Sequence, residues 1–498
     1  MSDKEFDPMD VSCYVRPVQK KGKKHSEEDE VIENEFLPKL DSLADDFSTV
    51  LESLLDYARQ GLEVSHNSVD NNLSGYYRGL SAIVKGTTKR RADFEMVLGF
   101  KGKDEKSEER QYVIPIQDVD MAFKVQDYLS AAIAAPRILC SSILQQLVNT
   151  WEGFVGNCLS MRIDYRKKLI SNKLVIPYEA VRNIRDVSDL HRFAIEQTVG
   201  EIMRQSTRGQ LMAFKDFWGI DALSWLKDTK TLEEIVYRRH MLVHCDGVAT
   251  GVYCKQVSKL GLAEPKTGTD ISPTFSYLLG AWDEVFSTGA ILSHLIAYQS
   301  LKEGLEKGAE RFYGERADAA LLSRSYMALE KKRFNVVRRI GEYVRQRKLY
   351  DEWEQKALYV NLALAYKQLK KEKDFQSVID ELDEHACPAD FEAPIACLHG
   401  DFDKAFRIVK RGCKQRDFCK AKEDIKALVK WPVYAELRKT SKCAAFLKSE
   451  EMKSLIAKCE KIDPKIDFKS KDSNPDGALK ELFVLCQEKA NAYKHIGV

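Results

Sequence analysis

Apolar residues recur at helical spacing over most of this chain. From about Glu33 to Gln60, Phe36, Leu40, Leu43, Phe47, Leu51, Leu54 and Leu55 follow the three-and-four rhythm of one long amphipathic helix. The same rhythm puts Leu144, Leu147, Val148, Trp151 and Val155 on one face of RILCSSILQQLVNTWEGFVGNCL. Further helices, VSDLHRFAIEQTVGEIM among them, are predicted to about Leu305. One segment breaks the pattern: FEMVLGF and QYVIPI are short β-prone runs around a Gly- and charge-rich connection. They predict a small β-hairpin near residues 94–116, with a mobile loop from about Lys101 to Arg110. The predicted fold class is therefore mostly α.

After about Gly308 the pattern repeats itself. LLSRSYMALEKKRF (321–334) recurs as LALAYKQLKKEKDF (362–375) and more weakly as PIACLHGDFDKAF (394–406). Each has a small or aromatic position, a polar turn, and then an aromatic placed to pack the next helix. Helix pairs stacked into an α-solenoid account for this. The region resembles tetratricopeptide repeats, although its intervals of about 40 and then about 27 residues depart from that family's 34. WPVYAELR looks like the last helix of such an array. The chain thus divides into a mobile charged tail (1–30), an N-terminal helical region with the hairpin (31–124), a helical domain (125–307) and a tetratricopeptide-like repeat domain (308–498).

Composition adds exclusions. With 44% hydrophobic and 31% charged residues among 498, the chain is that of an ordinary globular protein. A net charge of +2 does not coat nucleic acid by overall electrostatics, so any polyanion is met locally. The 12 cysteines include no C-x-x-C pair, and Cys245/Cys254 and Cys413/Cys419 lack zinc or redox spacing. They are expected to be reduced core thiols in a cytoplasmic protein without metal or cofactor. No secretory signal pattern opens the chain. SYLLGAWDEVFSTGAILSHLIAYQ carries Asp283 and Glu284, which predicts a buried helix instead of a membrane span. KKGKKHSEEDE in the tail is a solvated charge run, and KKRFNVVRRIGEYVRQRK (331–348) is the densest basic run. The latter suits either a surface for RNA or an acidic partner, or a solvated outer helix face.

The chemistry centres on RRHMLVHCDG, residues 238–247. Thr231 followed by Glu234 has the form of a capping box that starts a helix at Leu232, and Gly247 would end it. Leu232, Ile235, Val236, Leu242 and Val243 then form an apolar stripe with Arg239 near its middle. His240 and His244 lie along one edge, four residues apart. An inward guanidinium stays ionised and needs an acceptor, either a carboxylate from a neighbouring helix or a ligand phosphate. His244 sits in the last turn, where unsatisfied carbonyls favour positive charge. An imidazole beside a fixed cation suits phosphoryl chemistry. The spacing alone favours a helix-capping histidine and a core arginine paired to a glutamate, and the neighbourhood shifts that balance.

RRHMLVHCDGVATGVY resembles the signature of HEPN domains, in which Arg, a polar residue and a His precede a Gly-containing turn. QQLVNTWEGFVGNCL looks like the family's earlier helix, with its acidic residue, and FSYLLGAWDEVFSTGAILSHL like its final one, so the likeness spans roughly residues 125–305. The resemblance implies a metal-independent endoribonuclease that acts as a homodimer, in a toxin or antiviral defence setting. Carried over by position, Arg239 would stabilise the scissile phosphate, and His244 would be acid or base on the ribose 2′-hydroxyl or the leaving 5′-oxygen. His240, at a position often held by asparagine, would orient groups, and Glu152 would pair with Arg239. Arg239 and His244 are about 140° apart on an ideal helix. Two such helices meeting across a two-fold axis would bring an arginine of one copy to a histidine of the other. The repeats would offer a surface for a protein partner. The alternative is a non-catalytic HEPN and helical-repeat protein that binds and oligomerises as a sensor or scaffold.

Overall fold

The computed structural model describes residues 36–87, 94–101, 107–114, 119–165, 184–303, 307–384, 389–414 and 418–462. The predicted charged tail and the chain beyond 462 lie outside them. The architecture is predominantly helical.

Two long helices come first, α1 (Leu37–Thr87) and α2 (Val119–Tyr165). Gly61 of α1 lies against Leu139 of α2, and Phe47 stacks on Phe154 with ring centroids 4.4 Å apart, so the two run antiparallel. α1 continues well past Gln60, where the apolar rhythm weakens but no proline interrupts the chain. Between them β1 (Phe94–Lys101) and β2 (Ser107–Ile114) pair antiparallel, with Phe94 opposite Ile114 and Lys101 opposite Ser107. Pairing that extends to Lys101 and Ser107 shortens the loop predicted over 101–110 to residues 102–106, which lie outside the described residues.

Five shorter helices follow: α3 (Val187–Met203), α4 (Thr207–Trp218), α5 (Ala222–Leu226), α6 (Lys230–His244) and α7 (Gly251–Lys259). Asp186, Ser206, Asp221 and Thr250 cap α3, α4, α5 and α7 by accepting a backbone N–H of the first turn. α8 (Phe275–Leu301) is buried along most of its length because α1, α2 and α6 meet it on one side and later helices on the other. At Gly289 a side chain would collide with the Phe47 ring, and the Trp282 indole N–H donates to the Leu51 carbonyl at 2.8 Å. Among the described residues no helix is long and apolar enough to cross a membrane.

The remaining helices are α9 (Lys307–Glu330), α10 (Phe334–Val344), α11 (Glu352–Gln368), α12 (Glu372–Glu384), α13 (Glu392–His399), α14 (Phe402–Gly412), α15 (Phe418–Lys430), α16 (Ala435–Lys439), α17 (Ser441–Lys448) and α18 (Glu450–Ile462). The three sequence echoes each straddle a helix–turn–helix, α9/α10, α11/α12 and α13/α14. Their turns close alike. Lys332, Lys370 and Gly400 take left-handed φ values of 56°, 57° and 83°. The next N–H reaches back to Ala328, Tyr366 and Ala396 at 2.7, 2.9 and 2.9 Å. In this register Phe334 corresponds to Glu372, whereas the sequence echo had paired it with Phe375, one turn further into its helix. Similar side chains and similar turns are counted from different places. WPVYAELR becomes a 3₁₀ turn at Pro432–Tyr434 followed by α16, with two more helices after it, so it does not close the array.

Most of the cations in the basic run are paired within the chain, while Lys332 and Lys348 are exposed. Arg333 donates to Asp283 at 2.7 Å, Arg339 pairs with Glu284, Lys331 with Glu52 (3.3 Å), Arg338 with Glu342 (2.9 Å), and Arg345 with Glu381. Arg347 lies over the Tyr298 ring, 4.1 Å from its centroid. Apart from Arg338, whose partner lies within α10, these cations join α10 and its flanking turns to α8, α1 and α12. Beside them sits a buried polar knot. His294 contacts the Tyr343 hydroxyl through Nδ1 (2.8 Å) and Asp318 through Nε2 (2.9 Å). Asp318 also accepts from the Tyr298 hydroxyl (2.5 Å) and the backbone N–H groups of Tyr350 (2.7 Å) and Asp351 (3.1 Å). Burial holds the imidazole below its ordinary range, so it is neutral, donating from Nε2 and accepting at Nδ1. Most buried apolar residues between Phe36 and Met452 form one cluster with members on both sides of residue 307, and Met241, Ala249, Tyr253, Cys254, Val257 and Ile271 form a second, smaller one.

Candidate functional site

α6 carries the site, and its start differs from the predicted one. The helix begins at Lys230, whose N–H is taken by Asp228 at 3.0 Å, and the Thr229 hydroxyl donates to Glu233 at 3.0 Å. Glu234 does not close a capping box with Thr231. It is buried, and its carboxylate accepts from Tyr253 (2.6 Å), Tyr277 (2.5 Å) and Arg238 (2.8 Å). A buried carboxylate with three donors gains far more than one reaching back to an exposed helix end. Burial, followed by the charge of Glu234, pushes both phenols upward, so they remain donors. Arg238 also lies 3.9 Å from the Tyr277 ring centroid and donates to the Ile271 carbonyl at 3.2 Å. This network fixes α6 to α7 and α8. Two tyrosines so far along the chain gave no sequence signal for it.

The end of the helix follows the sequence. Asp246 and Gly247 adopt φ values of 48° and 74°, and the Gly247 N–H returns to the Met241 carbonyl at 3.1 Å. Of the predicted stripe, Leu232 and Ile235 are buried and Val236 and Leu242 are half-buried. Val243 faces out, and Met241 takes the inward place against Tyr253, Val257 and Ile271.

Arg239 lies on the side of α6 that meets α2. One terminal nitrogen, Nη2, donates to both Glu152 oxygens at 2.6 and 2.7 Å. Nε is buried and has no hydrogen-bond partner among the described residues. The pair is not sealed, since the Arg239 and Glu152 side chains keep 21% and 28% of their exposure. His240 and His244 are exposed, with ring centroids 4.4 Å apart and planes inclined at 52°. Among the described residues no hydrogen bond joins Arg239 to either histidine. Glu152 and Arg239 therefore meet within one chain, while His240 and His244 form a separate, solvent-facing edge of the same helix.

A second contact ties α2 to the end of α6. Arg137 donates to Ser272 Oγ (2.9 Å) and to the Asp246 carbonyl (3.3 Å), and pairs with Asp270 at 3.4 Å. Higher numbers on α2 thus meet lower numbers on α6, and these helices too are antiparallel. Among the described residues, no group of three or more His, Cys, Asp or Glu side chains is placed to hold a metal ion. The described cysteines are free thiols. Taken together, the arrangement holds a fixed cation with an unused donor, a partly exposed carboxylate paired to it, and two accessible imidazoles. No protein-family model matches this sequence, and no curated protein or solved structure was found to be similar to it.

Proposed function

We propose that the protein is a metal-independent endoribonuclease of HEPN type, acting as a homodimer and serving as a toxin or defence effector. The observation that carries this reading is the setting of Arg239: a guanidinium that keeps 21% of its exposure and has an orphaned Nε, on the helix that presents His240 and His244 to solvent. A phosphate oxygen is a ready acceptor for such a fork. In the proposed reaction a base takes the ribose 2′-hydroxyl proton, the 2′-oxygen attacks phosphorus, and the 5′-oxygen leaves with a proton from an acid. His244 serves as that acid or base, His240 orients the groups, and Arg239 stabilises charge on the phosphate. Glu152 holds Arg239 in place before the anion arrives. The two halves of the site lie on different edges of α6, so a second copy completes it. The helical repeats would receive the activating partner.

One observation favours the second reading. Both oxygens of Glu152 already engage Arg239, as a purely internal ion pair would. In that case the helices are a binding and oligomerisation module. RNA cleavage in EDTA by the parent, Arg239→Ala and His244→Ala separates the two. The nuclease reading requires cleavage by the parent and its loss in both variants. A parent that leaves RNA intact, or variants that cleave as well as it does, selects the module.

A further inference from the structure

We propose that the outward face of α14 is a docking surface for the phosphate backbone of an RNA strand, with Lys404, Arg407 and Arg411 as the groups that meet it. The choice of RNA rests on the nuclease reading, but the surface holds no group of the cleavage site and would bind a strand whether or not α6 cuts it.

Asp401 opens α14 by accepting the Lys404 N–H at 3.0 Å, and Ala405, Val409 and Gly412 form its buried side. A side chain at Gly412 would collide with Asp424 of α15, and Phe406 meets Phe446 of α17 with ring centroids 5.9 Å apart. The Lys410 ammonium lies 5.8 and 5.6 Å from those two centroids, which marks the edge of α14 that faces α17. Round the helix from that edge, away from the buried side, come Arg407, Arg411 and Lys404, all exposed. On an ideal helix the three fall within about 60° of one another and are spaced about 4.5 and 6 Å along the axis. Their heads therefore form one short outward row.

The acids around this row are already engaged. Asp403 pairs with Lys442 at 2.6 Å, Glu451 with Lys414 at 2.7 Å, and Glu450 with Lys453 at 2.7 Å. Lys442, and after it the charge of Arg407, hold the Asp403 carboxyl below its ordinary range. Lys404, Arg407 and Arg411 make no hydrogen bond or ion pair among the described residues. Arg407 is three or four residues from Lys404, Lys410 and Arg411, so these like charges repel along the helix, and a bound anion relieves that repulsion. Residues 392–462 hold 17 Lys and Arg against 10 Asp and Glu in a chain of net charge +2, which concentrates the cation excess on these C-terminal helices. What the surface lacks points to its occupant. Among the described side chains of α13 to α18, no large hydrophobic is exposed. A docking protein would find no apolar centre to bury, and a membrane would receive no apolar anchor, whereas a nucleic-acid interface is built from cations and polar groups. Two of the three cations are arginines, whose planar fork takes two phosphate oxygens at once.

The test follows binding of the full chain to a fluorescein-labelled, 2′-O-methylated RNA oligonucleotide, which resists cleavage, by anisotropy over a series of salt concentrations. The proteins are the parent, Arg407→Ala, Arg411→Ala, the triple variant Lys404→Ala/Arg407→Ala/Arg411→Ala, and Arg192→Ala as a control cation that is exposed but engaged by Asp189. Each phosphate contact on a single strand adds about 0.7 to the slope of log affinity against log salt. The expected result is a slope shallower by about 0.7 in each single variant and by about 2 in the triple variant, which also binds about ten-fold or more weakly at low salt. Melting temperatures stay at the parent's value, and Arg192→Ala binds as the parent does. A triple variant with the parent's affinity and slope overturns the inference, and so does a parent from which DNA or a poly-glutamate peptide displaces RNA more readily than RNA itself does. Cleavage of unmodified RNA is read alongside. A parent that cuts while the triple variant binds unchanged loses the surface and keeps the nuclease reading; a parent that binds through these residues without cutting keeps the surface and loses the nuclease reading.

Discussion

Arg239 and Arg333 are both arginines paired to one carboxylate, yet they sit in opposite surroundings. Arg333 and Asp283 keep 10% and 9% of their side-chain exposure, and Arg333 spends a second donor on the Leu279 carbonyl at 2.9 Å. Arg339 and Glu284, close by, keep 14% and 11%. Arg239 and Glu152 keep 21% and 28%, and the Arg239 Nε has no partner among the described residues. The first kind of arginine is committed to joining helices, and the second retains capacity for another anion. Local density of positive charge in the sequence is therefore a poor guide to where a polyanion would bind. The densest basic run is spent on internal pairs, and the candidate site rests on one arginine with exposed histidines beside it.

If this contrast is right, substitutions in the sealed region act on stability. Asp318 gathers four donors out of solvent, and Asp318→Ala leaves them unpaired, so urea unfolding is expected to show a loss of about 3–5 kcal/mol. Glu152→Ala is expected to cost less than about 1 kcal/mol because its ion pair is partly hydrated. Equal losses in the two variants would erase the distinction. On the functional side, Arg239→Ala is expected to lower RNA cleavage by about 10²–10³-fold, the scale for removing one donor to transition-state charge. Initial rates in EDTA would show it.

A carboxyl at odds with its neighbours, on α11, sharpens the comparison through pH. Glu354 is held up to about 8 by burial, then by the nearby carboxylates of Asp351, Asp318 and Glu315. A carboxyl raised above its unfolded value contributes most stability below about pH 4.5 and loses it as pH rises toward 8. Glu354→Gln is thus expected to raise the melting temperature above pH 8, with the gain vanishing below pH 4.5. A gain independent of pH would refute the assigned cause. His294 works in the other direction: its imidazole is held neutral, so protonation as pH falls below 6.5 destabilises the knot. The smallest effect concerns the turns. Lys370 occupies a left-handed φ that glycine adopts freely and its counterpart Gly400 already has. Lys370→Gly is expected to stabilise by at most about 1 kcal/mol in thermal unfolding.

Helix content was legible because apolar spacing is a local property, and Leu144, Leu147, Val148, Trp151 and Val155 are all buried as their stripe predicts. The turn at Gly247 was legible from the glycine itself, and the meeting of Arg239 with Glu152 because Arg239 lies within the apolar stripe of its helix and Glu152 flanks its own. The destinations of polar groups were not. Glu234 has the spacing of a capping residue, but two tyrosines from later helices make the buried position better. The basic run reads as exposed until α8 supplies Asp283 and Glu284 from about fifty residues away. His294 and Asp318 gave no pattern, because a buried pair is defined by its surroundings and not by its spacing.

The most direct test pairs two readouts on two variants: RNA cleavage and melting temperature for Arg239→Ala and Arg333→Ala. The account predicts that Arg239→Ala loses cleavage and keeps the parent's melting temperature, while Arg333→Ala lowers the melting temperature sharply. Undiminished cleavage in Arg239→Ala, or a melting temperature that falls as far as in Arg333→Ala, would contradict it.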